Sequence, residues 1–134
     1  MLLAPYDNAG AFSGRIRVAV ERMGVGEKAA TNLALVVHEL ATNSMKYGAL
    51  SCPTGTLDVS SVADAEHVCL TWLERGGPAV AAPDGPAGFG SQLVQRSLRG
   101  QLGGSIEYNW SESGLIVMLR ISRTRLAGWL GFGS

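Results

Sequence analysis

The stretch Glu27–Gly48 reads EKAATNLALVVHELATNSMKYG, with no glycine or proline before its last residue. Leu33, Val36, Val37, Leu40, Ala41 and Ser44 recur at spacings of three and four. That is the pattern of an amphipathic helix with one face on a core. Gly48 stands where the helix should end, with Pro53 shortly beyond. Upstream, Arg15–Val20 alternates polar and apolar residues like a half-buried strand, and Gly24-Val25-Gly26 follows. Downstream lie two strand patterns, Thr56–Val62 and Glu66–Leu73, joined at Asp64-Ala65, with Val68, Leu70 and Trp72 on one face of the second. Glu74–Gly90 gathers glycines and prolines and reads as a loop. Ser91–Leu102 is a second helix, striped by Leu93, Val94, Leu98 and Leu102 and ended by Gly103-Gly104. Ser105–Trp110 and Leu115–Ile121 form a last hairpin around Ser113-Gly114. The order strand, helix, hairpin, loop, helix, hairpin predicts a two-layer α/β sandwich: a mixed, mainly antiparallel sheet covered on one face by helices. In 123–134, Trp129, Leu130 and Phe132 suit docking on a surface or a partner interface.

The chain has 134 residues, which points to one domain with one core. Eleven Lys+Arg against eleven Asp+Glu leave a net charge of +0, arguing against broad attraction to nucleic acid or an acidic membrane. A hydrophobic content of 46% excludes disorder over most of the chain. No apolar run reaches the ~18 residues that span a bilayer. The start lacks the basic region of a signal peptide and reads equally as the cut end of a longer chain. Cys52 and Cys69 make neither a disulfide framework nor a four-ligand metal site. Cys69 lies in an apolar strand pattern and is expected to be a buried, reduced thiol, consistent with a cytoplasmic setting. Glycine, at 18 residues, is about twice its usual share and shows no repeat, so it should serve turns and close backbone contacts.

Glu39, Asn43 and Lys46 stand at i, i+4 and i+7 on the helix, away from the apolar stripe. A carboxylate, an amide and an ammonium on one stripe suit a phosphate–metal ligand. The amide oxygen can ligate Mg²⁺, the ammonium can pair with phosphate, and the carboxylate can orient or deprotonate a nucleophile. A solvated helix face would carry the same residues. The loop adds Glu74-Arg75-Gly76-Gly77, where a carboxylate beside glycines can accept from an exocyclic amine while backbone approaches a flat ring. It then runs into Gly88-Phe89-Gly90-Ser91 at a helix start, a place that favours phosphate. The third glycine of a dinucleotide fingerprint is absent, and there is no P-loop, so a merely flexible loop stays open on composition.

The order of motifs narrows this. His38-Glu39-Leu40-Ala41-Thr42-Asn43-x-x-Lys46-Tyr47-Gly48-Ala49-Leu50-Ser51, then Trp72-x-Glu74-x-Gly76-Gly77-Pro78, then Gly88-Phe89-Gly90-Ser91, resembles the HWE family of bacterial sensor histidine kinases. The resemblance runs from about Arg15 to Ile121 and includes Gly100-Gln101-Leu102-Gly103-Gly104. It implies the ATP-binding catalytic domain of the GHKL superfamily, with the Bergerat fold. Carried over, Asn43 would hold Mg²⁺ bridging the ATP phosphates, Lys46 and Tyr47 would contact phosphate or ribose, and Glu39 would be the general base or polarising group. Glu74 would accept from the adenine amine, Gly76 and Gly77 would let the ring lie against backbone, and Gly88, Gly90 and Ser91 would close over phosphate. His38, a family hallmark, is counted among the ATP-binding residues because it lies within the nucleotide motif; its chemistry is left unassigned, and packing and hydrogen bonding within the helix face are favoured over catalysis.

A histidine kinase also needs a phosphoacceptor histidine on a dimerising helical hairpin. Only His38 and His67 are present, and neither sits in one. The chain therefore reads as a catalytic domain (15–122) after the end of a preceding domain (1–14) and before a tail (123–134). It would serve a dimerisation/phosphoacceptor domain of the same or a partner chain, with a response-regulator receiver domain downstream, and would bind no nucleic acid and not insert directly into a membrane. The lid, roughly Arg75–Ala87, is short and lacks a phenylalanine-centred box. A catalytically silent ATP-binding module and a serine kinase of the anti-sigma-factor type are the alternatives; Trp72-x-Glu74 speaks against the latter.

Overall fold

The computed structural model describes residues 2–3, 14–20, 23–78 and 89–127. In chain order these form β1 (Leu2–Leu3), β2 (Ile16–Ala19), β3 (Met23–Gly24), α1 (Glu27–Tyr47), a 3-10 turn (Ala49–Ser51), β4 (Thr56–Ala63), β5 (His67–Arg75), α2 (Phe89–Arg99), β6 (Ser105–Ser111), β7 (Gly114–Ser122) and α3 (Arg123–Leu126). The main sheet has five strands in the order β2-β4-β5-β7-β6. β2 and β4 are parallel because α1 forms the crossover between them; every other neighbouring pair is antiparallel. β1 pairs with β3 in a separate two-stranded ribbon. The sheet is mixed and mainly antiparallel, as the order of patterns predicts.

Helix α1 spans the expected residues. Glu27 in its first turn and Lys46 in its last complement the helix dipole. Its buried stripe is Ala29, Ala30, Leu33, Val36, Leu40 and Ser44. This stripe and Val94, Leu98 and Leu102 pack on Val68, Leu70 and Trp72 of β5 and on Leu115, Val117, Leu119 and Ile121 of β7. Burying each large side chain here contributes roughly 1.5–3 kcal/mol. Leu126 of α3 is 2% exposed and joins the same core, and Gly26 N donates to its carbonyl at 3.0 Å.

Three expectations are corrected. Cys69 is exposed, not buried. The two-residue period that puts Val68 and Leu70 under the helices turns Cys69 to the opposite face, alongside Val62 and Met118, both also exposed. Val37 is 40% exposed because it falls on the flank of the α1 stripe rather than on its centre. The second helix ends at Arg99, before the expected Leu102, which is buried in the following turn. Gly85, Gly88 and most of the lid, together with Trp129, Leu130 and Phe132, lie outside the described residues.

The β4–β5 turn shows why Asp64 suits its place. Its Oδ1 accepts the backbone N–H groups of His67 at 2.7 Å and Glu66 at 2.8 Å. These bonds, His67 first, hold the carboxyl below its ordinary range. A depressed value stabilises the fold above about pH 3.8, and this contribution is lost as pH falls through the folded value. Asp64→Asn should therefore melt lower at neutral pH, with the gap to the unaltered chain closing below that point. Melts whose gap stays constant from pH 7 into acid would refute it.

Candidate functional site

On α1, Asn43 Nδ2 donates to Glu39 Oε2 at 3.1 Å across one helical turn. A carboxylate only accepts, so this bond must use the amide nitrogen and leaves the Asn43 oxygen for another partner. That oxygen is the kind of hard donor Mg²⁺ takes. Glu39 is half-buried and lies near β6. There, burial first and the Glu39 charge second push the Tyr108 hydroxyl above its ordinary range. Tyr108 also stacks on Trp110, with ring centroids 5.7 Å apart. Lys46 and Tyr47 are exposed in the last turn of α1, and Lys46 has no ion-pair partner among the described residues. The His38 side chain is exposed and makes no hydrogen bond among the described residues, so the packed role expected for it is not found.

Glu74 is the unusual residue. It sits at the end of β5 and is only 4% exposed, yet no cation pairs with it among the described residues. A buried carboxylate without partners costs several kcal/mol, so its hydrogen bonds decide whether the site is tenable. Oε2 accepts Trp72 Nε1–H at 2.7 Å, and Oε1 accepts the Ala49 backbone N–H at 3.0 Å. Each oxygen carries about two acceptor positions, so among the described residues both keep one free. Trp72 and Glu74 are two residues apart on one strand and necessarily share its face.

Backbone packing fixes Ala49. A Cβ on Gly48 would lie 2.2 Å from Glu74 Oε1. Gly48 does cap α1, its N–H reaching the carbonyls of Asn43 and Ser44, but at a φ of −109° it needs no left-handed freedom. Glycine is required there by the carboxylate pressed against it. A Cβ on Gly55 would lie 1.8 Å from the Ala49 oxygen, and one on Gly77 would lie 2.5 Å from Ala49 Cα. Gly76 adopts a φ of +77°, the left-handed bend that turns the chain out of β5. The buried Ser44 accepts from Leu50 N at 3.3 Å, and Ser51 Oγ donates to the Gly48 oxygen at 2.6 Å. The corner after α1 is thus held from several sides, with one N–H aimed at Glu74.

Of the residues expected from sequence, the structure joins Glu39 to Asn43, sets Glu74 and Gly77 against the turn that follows α1, and sets Gly76 against Thr54 and Gly55. Gly90 and Ser91 form part of the first turn of α2, which packs beside α1; Gly88 lies outside the described residues. The sequence reading missed the Ala49 N–H, the tie of Gly48 to Glu74, and Tyr108. It named Trp72 without a role, although the i, i+2 spacing on a strand already placed its indole beside the carboxylate.

No family model matches the chain. It is 36% identical over 119 residues to a blue-light-activated histidine kinase of Brucella anthropi, covering 86% of this chain and 24% of that protein. It is 35% identical over 116 residues to blue-light-activated histidine kinase 1 of Erythrobacter litoralis, covering 85% and 31%. The chain thus spans about a quarter to a third of the length of these relatives. Among solved structures, the histidine kinase domain of an Erythrobacter litoralis blue-light activated histidine kinase superposes with a TM-score of 0.69 at 22% identity, over 85% of this chain and 56% of that one. The catalytic domain of histidine kinase ThkA superposes with a TM-score of 0.60 at 17% identity, over 81% and 80%. The fold is therefore that of histidine kinase catalytic domains, the GHKL or Bergerat fold. With relatives at this identity, and with its helix histidine and Trp-x-Glu motif in place, the chain is similar to the catalytic domains of histidine kinases, those of the HWE family among them.

Proposed function

We propose that the chain binds Mg·ATP and passes its γ-phosphoryl group to a histidine on a separate dimerisation/phosphoacceptor domain, of the same or a partner chain. A response-regulator aspartate would receive the group next, in the cytoplasm. Residues 15–122 would be the catalytic unit, following the end of another domain (1–14), with 123–134 as a tail. The observation that carries this reading is Glu74: a carboxylate 4% exposed, held by two N–H groups, with acceptor capacity left on both oxygens among the described residues. Such a group suits the adenine amine, as the relatives' name and the family's motif lead one to expect.

The remaining roles are proposed from the family's motifs, and the positions of the side chains support them. Glu39 holds the Asn43 amide so that its oxygen is presented for Mg²⁺, and is the candidate general base or polarising group. Lys46, without an ion-pair partner among the described residues, offers its ammonium to phosphate, and Tyr47 a hydroxyl to phosphate or ribose. Gly76 and Gly77 bring backbone against the base. Gly88, Gly90 and Ser91 would meet the phosphates at the start of α2, where helix N–H groups face outward. Bound magnesium would supply charge neutralisation between the phosphates.

The test supplies the chain with γ-labelled ATP and the phosphoacceptor hairpin of one of its blue-light-activated relatives. Acid-labile label on the hairpin histidine is the expected outcome, absent with Asn43→Ala. ATP binding without any transfer would instead identify a silent nucleotide-binding module.

A further inference from the structure

We propose that Trp72 sets the base selectivity of the site as a positioning residue acting through Glu74; this rests on the reading of Glu74 as the acceptor of the adenine amine. The indole nitrogen can only donate. Its bond to Glu74 Oε2, at 2.7 Å, is shorter than the 3.0 Å bond from Ala49 to Oε1. The indole is 5% exposed and wedged in the core, so its N–H has one fixed direction. Ala49 N–H holds the second oxygen, and Gly48 leaves just enough space for it, since a Cβ there would come within 2.2 Å. The two donors fix the plane of the carboxylate, and with it the direction of its free acceptor positions.

A carboxylate so oriented matches an amine on the purine ring. A keto oxygen in the same place would set acceptor against acceptor, with neither group able to find another partner in a buried site. Phenylalanine at position 72 keeps most of the ring volume and removes only the N–H. The carboxylate then loses a fixed direction on one oxygen and can turn away from the incoming amine. Trp72→Phe should therefore weaken ATP binding about tenfold, the worth of one hydrogen bond to a charged group. Binding of inosine triphosphate, which carries a keto oxygen in place of the amine, should hardly change. Gly48→Ala should lower the same selectivity ratio by pushing Oε1 off the Ala49 N–H while the indole remains.

The experiment measures ATP and inosine triphosphate binding in Mg²⁺ by calorimetry on the full chain, for the unaltered protein, Trp72→Phe, Gly48→Ala and Glu74→Gln. Alongside, the indole N–H resonance of Trp72 is followed by NMR. The expected result is a reduced ATP preference in all three variants, with a slowly exchanging indole N–H that moves on addition of ATP and not of inorganic phosphate. Unchanged preference in Trp72→Phe with lost preference in Glu74→Gln overturns the role of Trp72 and leaves Glu74 as the reader. Unchanged preference in Glu74→Gln overturns both. Should Trp72→Phe fail to fold, an indole N–H that exchanges freely or ignores ATP overturns the proposal on the unaltered chain.

Discussion

Asn43→Ala should remove Mg-dependent ATP binding, weakening it by at least about 100-fold, while leaving the melting temperature within about 2 °C of the unaltered chain. The two halves of this expectation have separate causes. For stability, Asn43 is exposed, and its one side-chain bond, to Glu39 at 3.1 Å, is a surface i, i+4 contact. Such contacts contribute roughly 0.2–0.5 kcal/mol, and alanine returns a similar amount as the better helix former. For binding, the side chain offers the amide oxygen that the Glu39 bond leaves over, and no group of three or more His, Cys, Asp or Glu among the described residues can replace it as a metal site. Calorimetry and thermal melts on the same samples separate the two. A variant that binds Mg·ATP normally would remove Asn43 from the metal; a variant that unfolds would show that the Glu39 bond matters structurally.

Gly55→Ala should destabilise the chain by about 3 kcal/mol or more, lowering its melting temperature by roughly 10 °C. The added carbon would sit 1.8 Å from the Ala49 carbonyl oxygen, which is backbone and cannot rotate away. Arg15 Nε also donates to the Gly55 oxygen at 2.8 Å, so the strand side of the contact is tethered too. The strain must then move Ala49, whose N–H is one of the two donors to Glu74. ATP affinity should therefore fall together with stability, although residue 55 touches no proposed ligand. Gly24→Ala is the control: a Cβ there meets nothing within 4 Å. A Gly55→Ala protein as stable as this control would show that the corner yields.

The large elements were legible because their signals were long and consistent. Twenty-one residues without glycine or proline, striped at helical spacing, become α1 over the expected span. Alternation in β5 placed Val68, Leu70 and Trp72 on one face, which lies under the helices. The same alternation should have placed Cys69 outside; apolar neighbours along the chain outweighed the two-residue period, and the thiol is exposed. Val37 was misplaced because a helical stripe has a width that spacing alone leaves undefined.

The site was legible only in part, for a physical reason. Side chains with distinctive chemistry, such as Glu39, Asn43, Lys46 and Glu74, announce themselves in sequence. The groups that orient them do not. The Ala49 N–H is a backbone atom in a 3-10 turn that no residue preference foretold. Gly48 was legible as a helix cap, but its second task depends on Glu74, 26 positions away in sequence, reaching into the space beside it. The glycine surplus has a concrete meaning at Gly48, Gly55 and Gly77: three backbone approaches that fix one corner beside a buried carboxylate.

The most direct measurement is a calorimetric titration of the unaltered chain with ATP, in the presence and absence of Mg²⁺. Saturable binding in the micromolar range, stronger with Mg²⁺ and stronger for ATP than for GTP, is the expected result. The absence of any binding heat with either nucleotide, from a chain shown by its melt to be folded, would contradict the nucleotide site.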